Sequence, residues 1–293
     1  MMTIVGLGLT AAIVYGTSDF LGGFAARRLP SLQVTLVAFV AGTATSAICL
    51  LLVASRWSAA AIGYGALAGV AAAVSIWLLY EALSIGPVSV LAPMVAVIAA
   101  LFPVLYGLGH GEHLGTAGEA AIAMVLLAAI LVAYDPGGRG ATVGPRALII
   151  GVAAGVVTGA YLVSLDLTPA DSGAAPVLVE FAVGAVLLGS VVLSAKVFRA
   201  SPRRQVFGND VLHAPGAIAV VSGVTQAVAD VLVIVGIHRG DLAVMAALMA
   251  LYPLGTIACA RIVAPERVAR TQIAGVVLAI AASALLSTVA RAG

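Results

Sequence analysis

Apolar runs of about twenty residues recur from one end of this 293-residue chain to the other, and nothing else in it restricts the fold so strongly. Wound as an α-helix at about 1.5 Å per residue, each such run reaches across the roughly 30 Å of hydrocarbon in a bilayer. The composition agrees: 62% of the residues are hydrophobic and 9% are charged, whereas a soluble domain carries about 25% charge. A soluble bundle of core helices would have no polar shell to put around such runs. The expected class is an all-α polytopic membrane protein embedded in the lipid bilayer.

Several function classes drop out on the same residues. The net charge of +2 comes without a basic arm or interleaved aromatics, so no nucleic-acid partner is expected. The first run lacks a basic leader and reads as a first span rather than a signal peptide. Cys49 and Cys259 sit inside apolar runs and read as buried small hydrophobes, not a disulfide. GLGLTA (6–11) and GYGALA (63–68) fit a loose dinucleotide fingerprint, but neither follows a strand, and no Walker motif is present. His110, Glu112 and His113 are too few and too interfacial for a metal centre. No Ser–His–Asp set can be assembled. The expectation is no catalytic residue, no enzyme, no metal and no cofactor.

Charges, prolines and glycine clusters divide the chain into ten spans, near 3–25, 32–54, 60–83, 87–109, 115–134, 146–165, 174–197, 214–236, 240–262 and 269–290. DPGGRGATVGPR (135–146) separates five from five. Shifting the second half back by 154 positions lays GVAAAVSIWLLYEALSIG (69–86) on GVTQAVADVLVIVGIHRG (223–240) without a gap. Gly69 then meets Gly223, Gly86 meets Gly240 and Glu112 meets Glu266. The predicted organisation is two five-helix repeats, 1–134 and 146–293, joined by a linker at 135–145. A unit of five spans ends on the side opposite its start, so the copies are inverted. That layout goes with secondary transport around a site at the repeat interface.

Polar residues within the spans are the candidates for such a site. Asp19 follows Tyr15 by one turn in YGTSDFLGGFAARRLP (15–30). A carboxylate at the centre of a membrane helix costs about 2.5–3.5 kcal/mol, so its face must turn toward protein or water. Trp77, Tyr80, Glu81 and Ser84 form one stripe in the third span, and Ser222, Thr225, Gln226 and Asp230 another in the eighth. Glu180 lies near the start of the seventh. Asp230 and Gln226, then Asp19 with Tyr15, then Glu81, Trp77, Tyr80 and Glu180 are the expected lining of a cavity for a small-molecule substrate or a coupling proton. Each has a bland alternative: an interhelical hydrogen bond for Asp230 and Asp19, pairing with a neighbouring helix for Glu180, reach to the interface for Glu81, and a headgroup-belt position for Trp77 and Tyr80. Glu112 and Glu266 read as interfacial caps. Pro87, Pro93, Pro103 and Pro253 are expected to kink or break helices and free carbonyls. Gly151, Gly155 and Gly159 are expected to admit a close neighbour.

Pro253, Glu266, Gln272 and Gly275 in LYPLGTIACARIVAPERVARTQIAGVVLAIAASALL (251–286) resemble the closing helix pair of the EamA branch of the drug/metabolite transporter superfamily. YGTSDFLGGFAARR resembles the first helix of those proteins, and YEALSIGPVSVLAPM (80–94) their third-to-fourth joint. Pro253 departs from the repeat: it aligns with Ala99, while the first half has Pro103. The resemblance implies export or exchange of a small metabolite, amino acid-like or drug-like, across the cytoplasmic (inner) cell membrane, with a homodimer compatible. A non-transporting scaffold or accessory subunit is the alternative, and a lipid-modifying enzyme a weaker one. Orientation divides the arguments. Of 14 Lys and Arg, all but Arg56, Arg239 and Arg291 fall on one side, which places both termini outside; the resemblance implies termini in the cytoplasm.

Overall fold

The computed structural model describes residues 2–86, 88–110, 115–133, 144–194, 215–240, 242–249 and 251–252, with single positions and pairs beyond, up to 285. Among the described residues the elements are helical: α1 (Met2–Ala26), α2 (Ser31–Leu52), α3 (Ala59–Ile85), α4 (Val88–Gly109), α5 (Gly115–Ala133), α6 (Pro145–Asp166), α7 (Ala175–Ser194), α8 (Pro215–Ile237) and α9 (Leu242–Met249). Six of them, α1, α2, α3, α6, α7 and α8, are long and apolar enough to cross a membrane. Apolar helical stretches run through α4 and α5 as well.

Local chemistry sets several boundaries. Ser58 caps α3 by accepting the Ala61 N–H at 3.0 Å. Pro145 opens α6, where its missing N–H costs nothing. The expected ninth span, 240–262, is not continuous. Leu251 and Tyr252 form a turn after α9, with N–H groups donating to Leu248 and Met249, and helical positions resume at 255 and 256. The break falls directly before Pro253, which has no N–H to give a helix; Pro253 itself lies outside the described residues. Positions between 271 and 285 that the structure describes are helical.

Packing closes eight helices into a ring in the order α1–α8–α2–α7–α3–α6–α4–α9 and back to α1, with α5 outside against α4. Small residues let the backbones approach. A Cβ on Gly155 would lie 2.7 Å from the Ile98 side chain, and one on Gly159 would lie 2.5 Å from that of Phe102, so α6 seats on α4 along its glycine stripe. At Gly16, α1 meets the backbone of the turn at Tyr252. Between α2 and α7 the fit is reciprocal. Gly42 makes room for the Phe181 ring and Gly184 for the Phe39 ring, and the two rings meet at 5.1 Å between centroids. Outside this ring, long side chains such as Leu51, Leu52, Val186 and Leu193 are exposed, as lipid-facing positions require.

Candidate functional site

The ring turns its few polar groups inward. The face of α1 toward α8 carries Ser18, and the face of α8 toward α1 carries Ser222 and Gln226. Ser18 Oγ lies 2.8 Å from the Ser222 carbonyl and 2.9 Å from Gln226 Oε1. Ser222 Oγ donates to the Ser18 carbonyl at 2.9 Å and accepts from the Tyr80 hydroxyl at 2.8 Å. Tyr80 reaches that far because Gly22 leaves space for its ring. These bonds orient the Gln226 amide, so that Nε2 faces Asp230 Oδ2 at 3.4 Å.

Asp230 is the hub of the next layer. Tyr161 donates to its Oδ1 at 2.8 Å, and Tyr15 reaches the same carboxylate. Asp19 and Glu180 flank it within electrostatic range. Tyr161 also comes within hydrogen-bonding reach of Glu180. Asp19 and Glu180 are 1% exposed and Asp230 is fully buried. Asp19 Oδ1 and Glu180 Oε2 have no hydrogen-bond partner among the described residues. Tyr15 and Tyr252 close the group with ring centroids 6.3 Å apart, and the Tyr252 hydroxyl is anchored 2.9 Å from the Ala92 carbonyl.

Thus Asp19, Tyr15, Tyr80, Glu180, Gln226 and Asp230 come together, from α1, α3, α7 and α8. Glu81 does not join them. It sits toward the end of α3, accepting from Ser31 at 2.6 Å and lying 3.4 Å from the Arg146 guanidinium. Trp77 packs half-buried against the core, and Thr225 turns to its own helix, bonding the Val221 carbonyl. Pro103 is buried in α4, while Pro93 belongs to α4 without a described side chain. Pro87, Pro253, Glu112 and Glu266 lie outside the described residues. Among the described residues no group of His, Cys, Asp and Glu converges as metal ligands would. His110 instead stacks on Tyr106 at 4.0 Å.

Sequence reasoning missed Ser18, Tyr161 and Tyr252. A hydroxyl in an otherwise apolar span is the signal they carried, weaker than a carboxylate because a Ser can bond its own helix and a Tyr has no charge to bury.

Two clusters tie the ends of the bundle. Arg146, in the first turn of α6, pairs with Glu81. Beyond the far end of α6, Arg56 pairs with Asp171 at 3.3 Å, and the Ala174 N–H donates to Ser55 Oγ at 2.9 Å. Beside them His238 Nε2 lies 2.8 Å from Thr168 Oγ1. Burial holds the His238 imidazole below its ordinary value, opposed by its bond to Thr168 and the charge of Asp171.

No curated relative matches the sequence. A protein known from a crystal structure superposes with a TM-score of 0.70 at 19% identity, over 99% of this chain and 98% of that one. At that identity the likeness speaks for the fold alone. The model of the EamA-like transporter family, part of the drug/metabolite transporter superfamily and a family of transporters rather than enzymes, matches residues 145–288. Through that second half the chain belongs to the EamA-like transporter family.

Proposed function

We propose that the chain is a secondary transporter that exports or exchanges a small metabolite by alternating access across the cytoplasmic membrane. It has ten spans, as two inverted five-helix repeats, 1–134 and 146–293, joined by the linker 135–145. The observation that carries this reading is the buried carboxylate–tyrosine centre, assembled from both halves inside the helix ring. Ser18 and Tyr80 of the first half bond Ser222 of the second, and Tyr15 shares Asp230 with Tyr161. A scaffold has no use for two buried carboxylate oxygens without partners.

The packing supports the repeat. Exchanging each helix with the one five places along maps the ring onto itself: α1 on α8 becomes α6 on α3, and α2 on α8 becomes α7 on α3. Residue contacts follow the same exchange. Gly8 seats Leu248 where Gly151 seats Met94, and Gly69 abuts the backbone of Glu180 where Gly223 abuts that of Ala38. The reciprocal Gly42–Phe181 and Gly184–Phe39 contacts then lie on the pseudo-two-fold axis. Arg146–Glu81 and Arg56–Asp171 both join first half to second, at opposite ends of α6. With both ends latched and the centre closed to solvent, the conformation fits an occluded intermediate.

The test is exchange flux in proteoliposomes loaded with amino acids, amines and aromatic drug-like solutes. Saturable flux of at least one solute is expected, lost in Asp230→Asn, with Gly63→Ala retaining it. Flux no greater than in protein-free vesicles for all solutes would favour the scaffold.

A further inference from the structure

Among the described residues the centre of the ring is acidic without compensation. Asp19, Glu180 and Asp230 are buried together, whereas α1 to α9 contain a single Lys, Arg or His, namely Arg146 in the first turn of α6. Arg146 is 77% exposed and engaged with Glu81, so it does not neutralise the centre. Carboxylates removed from water need a partner of opposite charge or donors for their lone pairs. Here Tyr161, Tyr15 and Gln226 serve Asp230, with Tyr161 also within reach of Glu180, and Asp19 Oδ1 and Glu180 Oε2 remain acceptors without donors among the described residues.

If the two halves are repeats, the aligned contacts pair Asp230 with Ile76, Asp19 with Leu162 and Glu180 with Ala38. All three counterparts are buried and apolar. The same packing positions are thus filled without charge in the other half, which separates the acidic centre from the scaffold.

We propose that this centre binds a small organic cation bearing N–H groups, a protonated primary or secondary amine, between Asp19, Glu180 and Asp230. The two unpartnered oxygens call for N–H donors, which a quaternary ammonium lacks. The acids do not converge as metal ligands do. Tyr15, Tyr161 and Tyr252 bring aromatic rings to the same centre, side chains of the kind that attract ammonium groups. An amino acid of the same framework is disfavoured, because its own carboxylate would join three others with no cation in α1 to α9 at that depth to receive it.

This inference rests on the transporter reading for its meaning as substrate choice, but binding tests it separately. The purified full-length protein in nanodiscs is titrated calorimetrically with two matched sets: phenethylamine, 2-phenylethanol and phenylalanine, and butylamine, 1-butanol and norvaline. At least one amine is expected to bind about tenfold or more tightly than its alcohol and its amino acid. Asp19→Asn and Glu180→Gln should each weaken that binding about tenfold or more, while Gly63→Ala leaves it unchanged. If Asp19→Asn does not fold, Glu180→Gln decides. No amine binding, equal binding of alcohol or amino acid in both sets, or unchanged affinity in the acid variants would overturn the proposal. The same compounds are followed as flux in proteoliposomes. Amine binding without flux would sink the transporter reading and keep the site; flux of a neutral or zwitterionic solute without amine binding would do the reverse.

Discussion

Gly69→Ala and Gly223→Ala probe the helix ring at two close backbone contacts. A Cβ at Gly69 would stand 2.5 Å from the Glu180 carbonyl oxygen and 2.9 Å from its Cα. At Gly223 it would fall on the Ala38 carbonyl oxygen, with the carbonyl carbon at 2.7 Å. Neither obstacle is a side chain that can swing aside. Restoring ordinary contact near 3.4 Å moves α3 away from α7 by about 0.9 Å in the first variant, and α8 from α2 by at least about 0.7 Å in the second. Overpacking of this kind costs about 1–3 kcal/mol, against the roughly 0.5–1 kcal/mol gained when Ala replaces Gly within a helix, and rigid backbone obstacles put these sites toward the upper part of that range. Gly63→Ala is the control, since nothing lies within 4 Å of its Cβ position. Unfolding in detergent micelles, followed by Trp57 and Trp77 fluorescence, should rank Gly63→Ala at or above wild type and both others clearly below. Two destabilised variants of similar size would accord with equivalent sites in two repeats. If both are as stable as Gly63→Ala, the close approach, and with it the ring packing, is wrong.

Ser222→Ala should cost about 1–3 kcal/mol, because it strands the Ser18 carbonyl and the buried Tyr80 hydroxyl together; Ser190→Ala, whose hydroxyl bonds only its own helix, should change the same unfolding measurement little. Gly173 has φ of +54° and packs on the Ala54 carbonyl, so Gly173→Ala should lose about 1–2 kcal/mol from the left-handed backbone alone, read as a lower melting temperature. His238 binds its proton less readily folded than unfolded, so its contribution is intact above its ordinary value near 6.5 and is lost as pH falls below that. A melting-temperature series from pH 7.5 to 5 should therefore fall more steeply for wild type than for His238→Gln.

The chain's own residues determined the class of fold and most element boundaries. Runs of apolar residues long enough for a bilayer leave the backbone no solvent partner, so helix is the arrangement that satisfies it, and expected spans such as 60–83 and 214–236 fall within a few residues of α3 and α8. Burial of Asp19 and Asp230 was legible for the same reason, since lipid offers a carboxylate nothing. Pairing was not. That Tyr161 would reach Asp230, that Tyr80 would pass over Gly22 to Ser222, and that Glu81 would leave the centre for Arg146 depend on how separate helices rotate against one another. A helix's own pattern fixes which face is polar, but only its neighbours fix what that face meets. The correspondence between Gly42–Phe181 and Gly184–Phe39 was hidden likewise: short apolar strings match one another by chance, and only contact across α2 and α7 distinguishes the match that packs.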